Sequence, residues 1–308
     1  MTRPPSLSAA VRDAERRLRD AGVASPRADA ERLAAHVLRS GPGEVAAAVV
    51  LGRILDDAEA ARYEELVAHR AARVPLQHLT GRAPFRTIEL EVGPGVFVPR
   101  PETETVAGLA IDAVLAAGAA RAGGDGAGAG ATVVDLCSGS GAIALAVAVE
   151  VPASRVVAVE REPHARAWAE RNIARLAPGR VELLAGDVTA DPSADGGPLA
   201  AHRASVDVVV ANPPYIPDGS RPVDPEVAGH DPAAALYGGG PDGLAVPRAV
   251  VVLAARLLRP GGVLVMEHGD AQGRACRALA APPVWTGART RADLTGRDRA
   301  VVARLAGG

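Results

Sequence analysis

A chain of 308 residues with 48% hydrophobic content can form one large or two ordinary domains around a sizeable core, and with aromatics at only 2% that core must be built from Ala, Val and Leu. Lysine is absent, so every basic side chain other than histidine is arginine, which excludes lysine Schiff-base chemistry and P-loop phosphate binding. The net charge of −2 argues against a nucleic-acid-binding domain, Cys137 and Cys276 make no disulfide framework, and neither a signal peptide nor a long apolar span is evident, so a cytoplasmic protein is expected.

Residues 6–74 read as helices. "SLSAAVRDAERRLRDAGV" opens on a Ser cap, closes at Gly22 and spaces Leu7, Val11, Ala14 and Leu18 along one face. "SPRADAERLAAHVLRSG" repeats the grammar, with Ser25 as cap, Pro26 at the first helical position and Gly41 as stop. Further helices are expected around 43–53 and 56–73, giving a small bundle at 1–74 with charges of both signs interspersed. The period then changes. "FRTIELEVGPGVFVP" has short alternating runs around its "GPG", and residues 75–99 are expected to be a β-hairpin linker. "RPETETVAGLAIDAVLAAG" returns to helix, and the Gly/Ala tract 119–131 reads as a mobile surface loop.

From 132 onward strands alternate with helices: "TVVDL", "RVVAVE", "RVELLAGD", "VDVVVA" and "GGVLVMEHG" are separated by helical stretches. This predicts a mostly parallel, Rossmann-like α/β sheet with helices on both faces, and a ligand site outside the carboxyl ends of its strands. The loops after Leu136, Val159 and Ala211 should therefore meet.

"DLCSGSGAIAL" puts Asp135 at a strand end and Gly139 and Gly141 at a tight turn before a helix, where backbone can approach a ligand and free N–H groups point outward. Glu160 ends the next strand at the spacing of a carboxylate that grips ribose hydroxyls. Asp187, in "AGDV", could accept from an adenine amino group or be a solvated loop residue. These features suit NAD and S-adenosylmethionine equally.

"VVVANPPYIPD" is more specific. Two prolines rigidify a strand tip at which the Asn212 side-chain carbonyl and the Pro213 carbonyl can grip both hydrogens of a planar –NH2 group, with Tyr215 stacked on its face. An amide nitrogen is a poor nucleophile because its lone pair is delocalised. Holding both protons favours pyramidal nitrogen and aims the lone pair, without an obligatory general base. The seven histidines show no ligand-like spacing, so no metal is expected.

"NPPY" with "DLCSGSGAIALA" resembles the class I S-adenosylmethionine-dependent amino methyltransferases. "RVPLQHLTG", "VFVPRPETE", "DPAAALYGGGPDGL" and "GGVLVMEHGDAQG" narrow the resemblance to the HemK-type protein-(glutamine-N5) methyltransferases, which modify peptide-chain release factors.

The resemblance implies a seven-stranded methyltransferase domain at 100–308 behind a helical substrate-docking domain, and S-adenosylmethionine as cofactor. A Gly–Gly–Gln glutamine would enter the pocket of Asn212, Pro213, Pro214 and Tyr215, with Arg100, Glu102 and Thr103 beside it as substrate-binding residues. Phe97, Asp135, Cys137, Ser138, Gly139, Ser140, Gly141, Glu160, Asp187, Val188 and Asn212 would hold the cofactor, Val188 against adenine, and the segment Phe97–Thr103 would close over both ligands. Cys137 stands where the pattern usually has glycine, which requires a negative φ. A monomer without stable nucleic-acid or membrane binding is expected. The alternatives are a ribosomal-protein glutamine or a nucleic-acid base amine as acceptor, a non-catalytic binding module, and a NAD dehydrogenase.

Overall fold

The computed structural model describes residues 5–121 and 130–307, which form two compact units. The first comprises Met1–Arg82 together with Pro222–His230. It contains α1 (Leu7–Asp20), α2 (Pro26–Leu38), α3 (Pro42–Val50), α4 (Asp57–Ala71) and the short α5 (Leu76–Thr80). Leu7, Val11, Ala14 and Leu18 are the buried face of α1, and the Ser6 hydroxyl caps it by accepting from Ala9 N. Ser25 occupies the N-cap of α2 without a side-chain cap bond. Gly41 is not the stop expected for α2. Arg39 ends that helix in a left-handed conformation (φ 50°), and Gly41 begins α3, its N–H donating to Glu44 at 2.8 Å.

The helical unit runs past the expected boundary at 74 because α5 adds Leu76 to its core. It also takes in α9 (Pro225–His230). The buried Arg70 guanidinium holds α9: it donates to Asp29 at 2.7 Å and pairs with Glu226 at 2.8 Å, and Arg73 pairs with the same Glu226 at 2.9 Å.

The second unit opens at Ala83, within β1 (Arg82–Phe85), which pairs with β2 (Ile88–Glu91) as a two-stranded sheet. The hairpin turns at Arg86–Thr87, with Arg86 at φ 51°, and not at the "GPG" that the alternation suggested. That tripeptide lies beyond β2. There Gly93 is so close beneath the Trp168 ring that a Cβ would stand 2.5 Å from it, and Trp168 donates to Pro94 O at 3.3 Å. Trp168 is thus a half-buried cover and not a core residue.

Helix α6 (Pro101–Arg121) continues three residues into the tract read as loop, and Arg121 pairs with Asp207 at 2.9 Å; residues 122–129 lie outside the described residues. By length and composition α6 could cross a membrane, but here Val106, Ala107, Ala110 and Val114 are buried in the core that α6 builds over the sheet.

There follow β3 (Thr132–Leu136), α7 (Ala142–Glu150), β4 (Arg155–Glu160), α8 (Pro163–Leu176), β5 (Val181–Ala185) and β6 (Val206–Ala211). After α9 come α10 (Ala233–Leu236), α11 (Ala245–Leu257), β7 (Leu258–Glu267), α12 (Gly273–Leu279), β8 (Trp285–Ala292) and β9 (Asp298–Leu305). The strand order is β5-β4-β3-β6-β7-β9-β8, parallel through β7 and antiparallel at β9 and β8.

Strand parity divides the core in two. Val133, Val156, Ala158, Val208, Val210, Val263 and Val265 face the layer of α6, α7 and α8. Val134, Val157, Val209, Leu264 and Val301 face that of α11 and α12. The order of crossovers reverses between β3 and β6, which opens a crevice at their carboxyl ends.

Candidate active site

Register and parity together place the site. Leu136 pairs with Val159 and Ala211, Glu160 with Ala185, and Ala211 with Met266. The next residues along, Cys137, Glu160, Asn212 and Glu267, therefore form one row at the carboxyl edge. Asp135, Glu160, Asn212 and Glu267 share the parity of the face covered by α6, α7 and α8.

The loop after β3 is held from below. Asp135, 1% exposed, accepts from Ser138 Oγ at 2.8 Å and Ala144 N at 3.1 Å, while its Oδ1 is buried without a partner among the described residues. Burial pushes its carboxyl up to about 7, against the pull of those two bonds. Gly139 (φ 58°) and Gly141 (φ 83°) take left-handed conformations, and the side of Gly139 where a Cβ would sit is open. Ser140 O is held by the buried Asn172, which also bonds both backbone groups of Glu91.

Cys137 does not take the negative φ under which a side chain at that glycine position is tolerable: it sits at φ 61°. Ser138 N must reach Val159 O at 3.0 Å while β3 stays in register with both neighbours, so the turn cannot relax to suit a side chain. Burial raises its thiol far above the ordinary range, so it is an unreactive small residue.

Glu160 accepts Gly139 N at 2.8 Å and Glu162 N at 2.7 Å, one on each oxygen, and each oxygen keeps a lone pair for a further donor. Asp187 is committed differently. It caps the following turn; against the upward push of burial, bonds from Thr189 Oγ1 at 2.7 Å, Thr189 N at 2.8 Å and Arg161 at 3.3 Å hold its carboxyl below the usual range. Val188 beside it is buried.

The tip after β6 is buttressed by a glycine-rich segment. Ile216 N bonds Leu236 O at 2.8 Å and Gly238 N bonds Ile216 O at 3.0 Å. A Cβ on Gly238 would stand 2.5 Å from Pro214 O. Gln272 clamps the same tip: its Nε2 donates to Tyr215 O and Asp242 O, both at 2.9 Å, and its Oε1 accepts Gly269 N at 2.9 Å. Thus "YGGGPDG" and "GDAQG" brace the Asn–Pro–Pro–Tyr turn. Pro213 is buried, and Asn212, Pro214 and Tyr215 are half-buried.

Asn212 turns its nitrogen inward, Nδ2 donating to the hydroxyl of buried Thr103 at 3.3 Å, which leaves Oδ1 as an acceptor. Tyr215 Oη donates to Glu267 at 3.4 Å. Glu102, beside Thr103 on the first turn of α6, adds a negative field there. Arg100 does not join this group. It pairs with Asp231 at 2.6 Å and stacks over the Phe97 ring at 5.2 Å, so it organises the segment before α6. Glu267 is the residue sequence reasoning passed over: "VLVMEHG" read as a strand end, and only its isolated carboxylate in an apolar run could have drawn notice.

The pocket's chemistry suits a cationic, amine-bearing ribonucleoside. The orphaned Asp135 Oδ1 lacks a donor of the ammonium type, Glu160 has lone pairs for ribose hydroxyls, and the open face at Gly139 admits close backbone approach.

Comparison with known proteins gives a consistent assignment. The family model described as PrmC N-terminal domain matches residues 9–81, and that of a methyltransferase domain matches 127–293. A release factor glutamine methyltransferase from Streptomyces coelicolor is 49% identical, covering 97% of this chain and 98% of its own. One from Mycolicibacterium smegmatis is 47% identical, with 96% and 97% covered. A 4-amino-L-phenylalanine/4-methylamino-L-phenylalanine methyltransferase from Streptomyces pristinaespiralis is 39% identical, with 89% and 87% covered.

Proposed function

This chain belongs to the release factor glutamine methyltransferase family, and we propose that it methylates the side-chain amide nitrogen of the Gly–Gly–Gln glutamine in peptide-chain release factors, with S-adenosylmethionine as donor. The bound donor supplies a methyl group on a positively charged sulfur. The loop Cys137–Gly141, Asp135, Glu160 and Val188 would hold it, with Phe97 and Asp187 at the margins.

The observation that carries the reading is the orientation of Asn212. With Nδ2 committed to Thr103, Oδ1 is presented at the row's centre as an acceptor for an amide N–H. The Pro213 carbonyl takes the second N–H, and Tyr215 packs on the flat amide. Fixing both protons localises the nitrogen lone pair and aims it. The residues thus lower the barrier by positioning and by hydrogen bonds that strengthen as nitrogen becomes positive. In the helical unit, Arg16, Arg19, Arg27 and Arg62 each pair with a neighbouring carboxylate, which supports protein docking over nucleic-acid binding. A cytoplasmic monomer fits this role.

The test incubates the protein with labelled S-adenosylmethionine and three acceptors: a release factor, its Gly–Gly–Gln Gln→Ala variant, and bulk RNA and DNA. Label on the intact factor alone is expected. Label on nucleic acid, or on the Gln→Ala factor, overturns the reading. Asn212→Ala should lower turnover by roughly 100-fold or more while calorimetry still detects donor binding.

A further inference from the structure

The Asn212 amide has two rotamers of similar shape that present opposite chemistry, Oδ1 or Nδ2, to an acceptor. Presenting Nδ2 would set donor against donor, so something must choose. Thr103 makes the choice locally, but a hydroxyl can itself donate or accept. Its direction is set by the group behind it.

That group is Glu267. It ends β7 one position beyond Met266, the register partner of Ala211, and is 1% exposed. The Thr103 hydroxyl is among the groups that pull the Glu267 carboxyl down against its burial, and Tyr215 Oη donates to its Oε1 at 3.4 Å. Oε2 is buried and accepts no hydrogen bond among the described residues, so the carboxyl has capacity for a further donor. The charges facing it are Arg299 from β9 and Glu102 from α6; on its own strand end, His268 bonds Gly269 O at 2.7 Å and burial depresses its basicity, keeping it neutral.

Resting on the proposed amide acceptor, we propose that Glu267 is a positioning residue: it accepts a hydrogen bond from the Thr103 hydroxyl, so that Thr103 offers only a lone pair to Asn212 Nδ2 and Asn212 Oδ1 is locked toward the acceptor amide. The same carboxylate orients the Tyr215 ring through its hydroxyl. The relay runs Asn212 to Thr103 to Glu267 and has one polarity only while Glu267 is ionised.

Burial raises this carboxyl to about 7, with Glu102 adding to the rise and Thr103, Arg299 and Tyr215 opposing it. Turnover at saturating donor should therefore climb with pH through about 7. Asp135, raised to a similar value, lies in the donor loop, so its titration enters through the donor KM and saturation removes it.

The experiment measures kcat against pH for wild type, Glu267→Gln, Thr103→Val and Thr103→Ser, and follows Glu267 by carboxyl ¹³C NMR in the donor-free protein. Glu267→Gln should lose roughly 10–100-fold in kcat and its rise near neutrality, with the donor KM little changed. Thr103→Val should lose a similar factor and move the Glu267 midpoint upward, and Thr103→Ser should restore both. A wild-type pH profile in folded Glu267→Gln overturns the proposal, as does an unmoved Glu267 midpoint in Thr103→Val. The midpoint needs no turnover, so failure of the release factor as acceptor would be seen separately, in the wild type.

Discussion

Gly243 lies directly under the carbonyl of Tyr215: a Cβ there would stand 2.2 Å from that oxygen. It would also meet Ile216 C and Pro217 N at 2.8 Å, and Gly243 sits at φ 69°. The three nearest atoms are all backbone, so no flexible side chain end can give way there. Gly243→Ala should therefore destabilise the protein by about 2–3 kcal/mol and displace the tip. Thermal unfolding and donor titration check this: the melting temperature and kcat should both fall while donor affinity changes less.

Cys137 carries strain of the opposite sense. A non-glycine residue in the left-handed region costs about 1–2 kcal/mol, offset in part by the greater unfolded-chain freedom of glycine. Cys137→Gly should then stabilise the fold by up to about 1 kcal/mol, read as a higher urea midpoint at unchanged slope. A lower midpoint would show that the thiol's packing outweighs the backbone strain.

Arg70 is the hinge of an ionic cluster in the helical unit. Replacing it by Met leaves Asp29 and Glu226 facing each other with Arg73 as the remaining cation. Removing one member of a buried ionic cluster costs about 3–5 kcal/mol. Arg70→Met should also free α9, so limited proteolysis should cut within 222–230 before cutting elsewhere in the described residues.

Stability should respond to pH through Glu267. Its carboxyl is raised from 4.5 to about 7 in the folded chain, so the folded state holds a proton that the unfolded chain releases. Its contribution to stability therefore falls as pH rises between those values and is constant above. His268, depressed by burial, acts in the opposite sense below its ordinary value, but it cancels in the comparison of wild type with Glu267→Gln. The variant should gain on wild type from pH 5 to pH 8, by at most roughly 3 kcal/mol. Urea midpoints at the two pH values measure it; a constant difference would place the carboxyl's titration outside this window.

Much of this was written locally. Val156 to Val159 and Val208 to Ala211 are continuous apolar runs of strand length, and Val133 to Leu136 is broken only by Asp135, as expected of strands buried on both faces. Leu7, Val11, Ala14 and Leu18 identified the inner face of α1 because helical period alone dictates it. That Asn212–Pro213–Pro214–Tyr215 forms a strand tip was legible for a related reason: rigid backbone and adjacent acceptors are properties of neighbouring residues. The hairpin turn at Arg86–Thr87 was misplaced because "GPG" is the stronger turn signal, and yet its glycines serve packing beneath Trp168 at Gly93 and a left-handed backbone against His164 at Gly95.

What had to wait for the folded chain were relations between distant segments. Thr103 is 109 positions from Asn212 and Glu267 is 52 from Tyr215, while Arg100 answers to Asp231 across 131 positions. The left-handed turn at Cys137 likewise follows from holding β3 in register with two neighbours at once. Periodicity and turn chemistry act over a few residues and so specify elements and the identity of a strand tip. Which hydroxyl, carboxylate or glycine meets that tip depends on strand register and helix packing, and those are settled only when the apolar faces are buried together.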